Sequence, residues 1–285
     1  MQTGRNVRRA LSVVPWNAPC SAATAYDMRR HSSIWASVSA AAILVLSPAF
    51  TTGQAPSAPA TGVPRSADGK PDLSGIWQAL NTAAWNLEGH HASKGVPAGL
   101  SVVVGAPIPY QPWAAAKRKE NFENRLTADP EAKCLLPGVP RITYMPYPFQ
   151  IVQTPKQLAF LYEYVHAIRN VSMDSEHPAG QIDWWMGDSR GHWEGDTLVV
   201  DVIHFNDVTW FDRAGNFHSE ALHVVERYTR TGADHLMYEA TIDDPKVFTR
   251  SWTIRMPLYR RLEPGMQLLE YECYAFDDEF HVFPP

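Results

Sequence analysis

From Phe149 onward, hydrophobic and polar positions alternate with a period of two in segment after segment, the pattern of strands that bury one face. Phe149–Gln153 and Gln157–His166 flank Thr154-Pro155-Lys156, a hairpin connection, and Leu158, Phe160, Tyr162, Tyr164 and His166 fall on one face of the second strand. Ala167–Met173, Leu198–Phe205, Ala221–Thr229, His235–Ile242, Thr249–Met256 and Gln267–Ala275 continue the series, with turns at Thr231-Gly232-Ala233-Asp234 and Pro264-Gly265. Glu194-Gly195-Asp196-Thr197 fits a two-residue hairpin loop of type II′, which sets Trp193 opposite Leu198 and His192 opposite Val199. Upstream, Asp72 to Trp77 reads as a first strand. Residues 81–111 lack a period and form a long excursion. Pro112–Leu126 reads as a helix with proline in its first turn, and Cys134–Pro148 as a proline-punctuated loop. Eight or nine strands joined mostly by short turns predict an all-β antiparallel meander. Such a meander tends to close into a barrel, because closure removes exposed edges.

The N-terminal region has a different pattern. Met28-Arg29-Arg30-His31 is followed by the apolar run Ile34–Leu46 and then small residues up to Ala55, the order of a secretory signal peptide starting at Met28. The run is too short to span a bilayer, so no stable membrane anchor is expected. Residues 1–55 are therefore assigned to an upstream extension and signal peptide, the Pro-, Ala- and Gly-rich residues 56–71 to a flexible linker, and 72–285 to a single domain. Removal of residues 1–55 takes away five basic residues and one acid. The net charge then moves from −5 to 20 − 29 = −9, which argues against nucleic acid as a partner. It also leaves Cys134 and Cys273, a natural disulfide pair in an exported, periplasmic or secreted chain.

Gly75-Ile76-Trp77 is similar to the G-x-W signature of lipocalin-like (calycin) barrels. More of the chain resembles an exported bacterial family of unknown function. The likeness is carried by PDLSGIW, the Cys134-x-x-Pro137-Gly138 loop, His177-Pro178, GDSRGHWEGDTLVVD, Glu226-Arg227, Asp244-Pro245 and the final E-Y-E-C. It implies a lipocalin-like barrel and leaves the chemistry open. The excursion between the first two strands is long for such a barrel.

Within this frame, some polar residues interrupt apolar strands. Alternation groups Glu226 with Leu222, Val224 and Tyr228, so Glu226 is expected inside, as a general acid or base or as the partner of an inward arginine such as Arg169 or Arg255. Asp201 lies with Val199 and Ile203, and His204 with Val200 and Val202, so one of the two is expected to face the interior. The face Phe160, Tyr162, Tyr164, His166 suits either a core stripe or a wall for an aromatic ligand. Glu226, His204, His166 and Tyr164 are the candidate proton-transfer residues. Arg169, Arg227, Asp201, Phe160, Tyr162, Trp185 and His223 are the candidate ligand contacts. His192, Glu194 and Asp196 are expected at the wet end of their hairpin.

The chain has no G-x-S-x-G elbow, P-loop, G-x-G-x-x-G or C-x-x-C, and its histidines lack the close pair spacing of zinc sites. No cofactor or metal is expected. The functional expectation is a barrel that binds a small, partly apolar or aromatic molecule. Cofactor-free acid–base chemistry on that molecule (isomerase, lyase or hydrolase type) is one reading, and a non-catalytic periplasmic binding or carrier protein is the alternative.

Overall fold

A computed structural model describes residues 62–105, 107–180 and 182–273. The expected signal segment and the last residues of the expected final strand lie outside them. Nine strands form a closed barrel in sequence order: β1 (Gly75–Ala79), β2 (Phe149–Gln153), β3 (Gln157–Tyr162), β4 (Ile168–Met173), β5 (Asp188–Glu194), β6 (Thr197–Ile203), β7 (His223–Arg230), β8 (His235–Asp243) and β9 (Trp252–Arg260). All neighbours are antiparallel except β4 and β5, which run parallel and pair only through Ser172–Arg190 and Met173–Gly191. Residues 174–187 carry the chain back along the outside between these two strands. The β5–β6 hairpin has the expected register, with Trp193 opposite Leu198 and His192 opposite Val199, and Gly195 supplies the positive φ of 60° that its turn requires.

The alternation seen in the sequence decides what fills the barrel. Trp77, Phe149, Phe160, Tyr162, Leu198, Val200, Val224, Tyr228, Tyr238, Ile254 and Leu258 are buried within it, so the interior is a packed core and not an open ligand chamber. Side chains of β4 crowd β5 at the parallel pair. A Cβ on Gly191 would lie 2.6 Å from Met173 Sδ and 2.8 Å from Val171 Cγ1, so that strand must be bare there.

Strand direction sorts the connections. Tight turns join β2 to β3, β5 to β6 and β7 to β8 at one end. Residues 80–148, 204–222 and 244–251 all emerge at the other end and form a cap over it. The cap contains α1 (Pro112–Glu123), α2 (Arg125–Ala128) and two 3₁₀ turns, Pro130–Lys133 and Arg141–Tyr144. The predicted helix Pro112–Leu126 thus breaks at Asn124. The Cys134–Cys273 disulfide, with 5.4 Å between its Cα atoms, ties the C-terminal segment to the cap.

Several expected elements end early. β3 stops at Tyr162 because Val165 and His166 turn with φ of 44° and 49°. Gln267–Ala275 forms no strand over its described residues, where Tyr271 makes a single bridge to Tyr164. Of the expected flexible lead-in, residues 62–71 fold back, with an Arg65–Pro71 bridge and an exposed Arg65–Asp196 ion pair of 2.6 Å. Among the described residues, no helix is long and apolar enough to cross a membrane.

Candidate functional site

The cap is organised around buried charge. Asp129 accepts from the Glu131 backbone N–H (3.0 Å) and so caps the first 3₁₀ turn. Arg141, on the second turn and 1% exposed, donates to both Asp129 oxygens at 2.8 and 2.9 Å and also pairs with Glu131. Glu131 is held from the other side by Arg213, through Nε at 2.8 Å and through Nη2. Burial would raise the Glu131 carboxyl, but the two guanidiniums outweigh it and hold it below the usual range. Asp212, fully buried, accepts from the backbone N–H groups of Leu87 (2.8 Å), Ala214 (2.9 Å) and Asn216 (3.2 Å) and from the Asn216 amide. It therefore joins the loop after β1 to the loop after β6, and its burial pushes its carboxyl up to about 6.

Above this network lies a cavity of about 630 Å³, lined by residues from 85–96, 122–132 and 213–214 together with Tyr147, Tyr164, Tyr271 and Cys273. Its walls are aromatic. Tyr147 lies 4.6 Å from Tyr271 and 5.6 Å from Tyr164, ring centre to ring centre. The Arg213 guanidinium, which also lines the cavity, sits 5.2 Å from the Trp85 ring centre. Burial pushes the Tyr147 and Tyr164 phenols well above their usual range, so both remain neutral near pH 7. The volume suits a drug-sized molecule, and flat apolar walls with a few polar groups are the usual make-up of a small-molecule site.

Of the residues picked out in the sequence, Tyr164 lines this cavity. Glu226 is inside the barrel as expected, at 0% exposure. It pairs with Arg169, accepts from Tyr228 and Tyr238 at 3.0 and 2.7 Å, and does not line the cavity. Arg169 also donates to Ser189 Oγ at 2.9 Å, while Phe160 and Tyr162 pack in the core. His166 is on the surface, 2.6 Å from Glu272. Arg227 faces outward to Glu194 at 2.7 Å, and His192 and Glu194 are half exposed at the hairpin end.

The expectation that Asp201 or His204 looks into the barrel does not hold. The inward row of β6 is Leu198, Val200 and Val202. Asp201 lies on the other face, and His204, beyond the strand end with φ of 65°, turns its ring to the Pro178 carbonyl. Both belong to an outer cluster. His177 bridges Asp188 (2.6 Å) and Asp201 (2.9 Å), and Asp201 also holds His223 at 2.8 Å. Arg190 pairs with Asp188 at 2.6 Å. Burial would raise Asp188, but Arg190 and His177 hold it below the usual range. This cluster fastens the connection 174–187, which also carries half-buried Trp185, to the barrel wall. Among the described residues, no group of three or more His, Cys, Asp or Glu is arranged to hold a metal ion.

Sequence reasoning missed Asp129, Glu131, Arg141, Arg213, Trp85, Tyr147 and Tyr271. All but Tyr271 sit in segments without a period, where no pattern signals burial, and Tyr271 lies in a segment expected as a strand that makes only one bridge. The one available signal was the density of paired acids and arginines beside aromatic residues in those loops. The chain matches no family model, no curated protein and no solved structure.

Proposed function

We propose that the protein is exported and binds a small, partly aromatic molecule in the cap cavity. The carrying observation is that cavity: about 630 Å³, walled by three clustered tyrosines and the Trp85–Arg213 pair, on a floor of mutually neutralised buried charges. A disulfide and the signal-like N-terminal sequence support the export reading. Binding without catalysis is the favoured form, because Glu226, His204 and His166 stand apart from the cavity and only Tyr164 lines it.

The test is native mass spectrometry of protein purified from the periplasmic fraction, compared with Trp85→Ala. A copurifying small molecule present on the wild type and reduced on the variant is the expected result. An identical bound mass on both folded proteins, or none on either together with no binding of aromatic probes, overturns the proposal.

A further inference from the structure

The charges around the cap cavity do not cancel. Asp129 and Glu131 are matched by Arg141 and Arg213, all four being joined in one network. Two further cations line the same cavity, Lys94 and Arg125, with no additional acid among its described lining residues. Arg125 stacks on Phe122 at 4.2 Å from the ring centre and spends one hydrogen bond on the Phe122 carbonyl at 2.7 Å. Arg213 uses Nε and Nη2 on Glu131, which leaves its Nη1 amino group for a ligand. The formal balance of lining and directly paired groups is thus four positive against two negative. Asp212, which also interacts with Arg141, brings it to four against three when ionised. This surplus stands in a chain whose overall charge is −5. A concave site with low-dielectric walls focuses such a local excess onto whatever enters it.

Resting on the binding reading above, we infer that the ligand class is planar aromatic acids. The ring lies among Tyr147, Tyr164, Tyr271 and Trp85, and the carboxylate (or another anionic group) is held by Arg125, Lys94 and the spare edge of Arg213. Guanidinium groups already stacked on Trp85 and Phe122 are pre-oriented, so they lose little freedom when they take a planar anion.

Three probes with one ring system separate charge from shape: 2-naphthoate, 2-naphthamide and 2-naphthylmethylammonium, titrated against the disulfide-bonded protein by calorimetry. The expected order is naphthoate first, about tenfold or more tighter than the amide, with the ammonium weakest. In the double variant Lys94→Gln/Arg125→Gln, which leaves the buried network intact, the acid-to-amide ratio falls severalfold while amide affinity is retained. Raising the salt narrows the wild-type ratio. Equal binding of acid and amide, or tighter binding of the ammonium, overturns the charge inference and leaves the cavity reading standing. If no probe binds a protein whose circular dichroism shows it folded, the cavity reading falls and this inference with it.

Discussion

Glu226→Gln tests whether the interior carboxylate is a structural counter-ion. Among the described residues, Glu226 is the carboxylate that pairs with Arg169, whose side chain is 2% exposed. Glutamine keeps an oxygen for the Tyr228 and Tyr238 hydroxyls, which both donate to Oε1. The other oxygen becomes an amide NH₂ facing the guanidinium, donor against donor. Removing one member of a buried ion pair costs about 3–5 kcal/mol, since the remaining charge is left without a partner. With a urea m-value of about 3 kcal/mol/M for a chain of this size, the unfolding midpoint should fall by about 1–1.7 M. Tryptophan fluorescence under non-reducing conditions measures it. Adding Arg169→Met removes the stranded charge and should restore stability to within roughly 2 kcal/mol of wild type. Because Glu226 does not line the cap cavity, probe affinity should be unchanged in the single variant wherever it is folded. A loss below about 1 kcal/mol would refute the counter-ion argument, as Arg169 would then have no need of this carboxylate.

Three other outcomes are expected. Asp212 has its carboxyl raised to about 6 from an unfolded value near 3.8, so the folded state holds the proton more tightly. Its contribution to stability is present below about pH 4 and lost as pH rises towards 6, a change of roughly 3 kcal/mol. The stability difference between wild type and Asp212→Asn should follow that slope across pH 4–6.5 in urea titrations, and a flat difference would disprove it. Reducing Cys134–Cys273, which closes a separation of 139 residues, should cost up to about 5 kcal/mol in the chain-entropy model. It should also weaken probe binding, since the Tyr271 wall is no longer fastened; intact-mass measurement after alkylation without reductant, showing no label, checks that the bond is present. His177→Asn should remove the bridge between Asp188 and Asp201 and speed amide exchange in 182–187, with little effect in β7 and β8; uniform acceleration would mean that the cluster supports the whole barrel.

The period-two pattern made the barrel legible, because each strand buries one face and a two-residue repeat reports it directly. The same rule placed Glu226 inside, and of the two arginines suggested as its partner, Arg169 is the one that pairs with it, while Arg255 pairs with Glu239. It failed where backbone geometry departs from the repeat. The row Phe160, Tyr162, Tyr164, His166 follows one strand face by the repeat, yet the strand ends at Tyr162 and a left-handed turn follows at Val165 and His166, so Tyr164 lines the cavity and His166 lies on the surface. A β-branched residue at positive φ has no sequence signal, since it is an arrangement that sequence preferences oppose. His204 left its row for the same reason. The cavity was invisible because segments outside the strands supply all of its described lining, and tertiary charge pairing rather than periodicity buries Arg141 and Asp129.

An odd number of strands has a topological consequence. A closed ring in which every strand opposes both neighbours must have an even count, so nine strands force one like-directed pair, here β4 and β5. The connection 174–187 is then no ornamental insertion but the return path that parity demands. It must climb the full height of the wall, and its fourteen residues reach at most about 50 Å when fully extended. Shortening it by a few residues leaves the ring closable, whereas deleting most of it breaks the circuit at the seam joined by only two residue pairs. The histidine–carboxylate cluster sits along that path and rivets the return limb to the outside of the ring it completes.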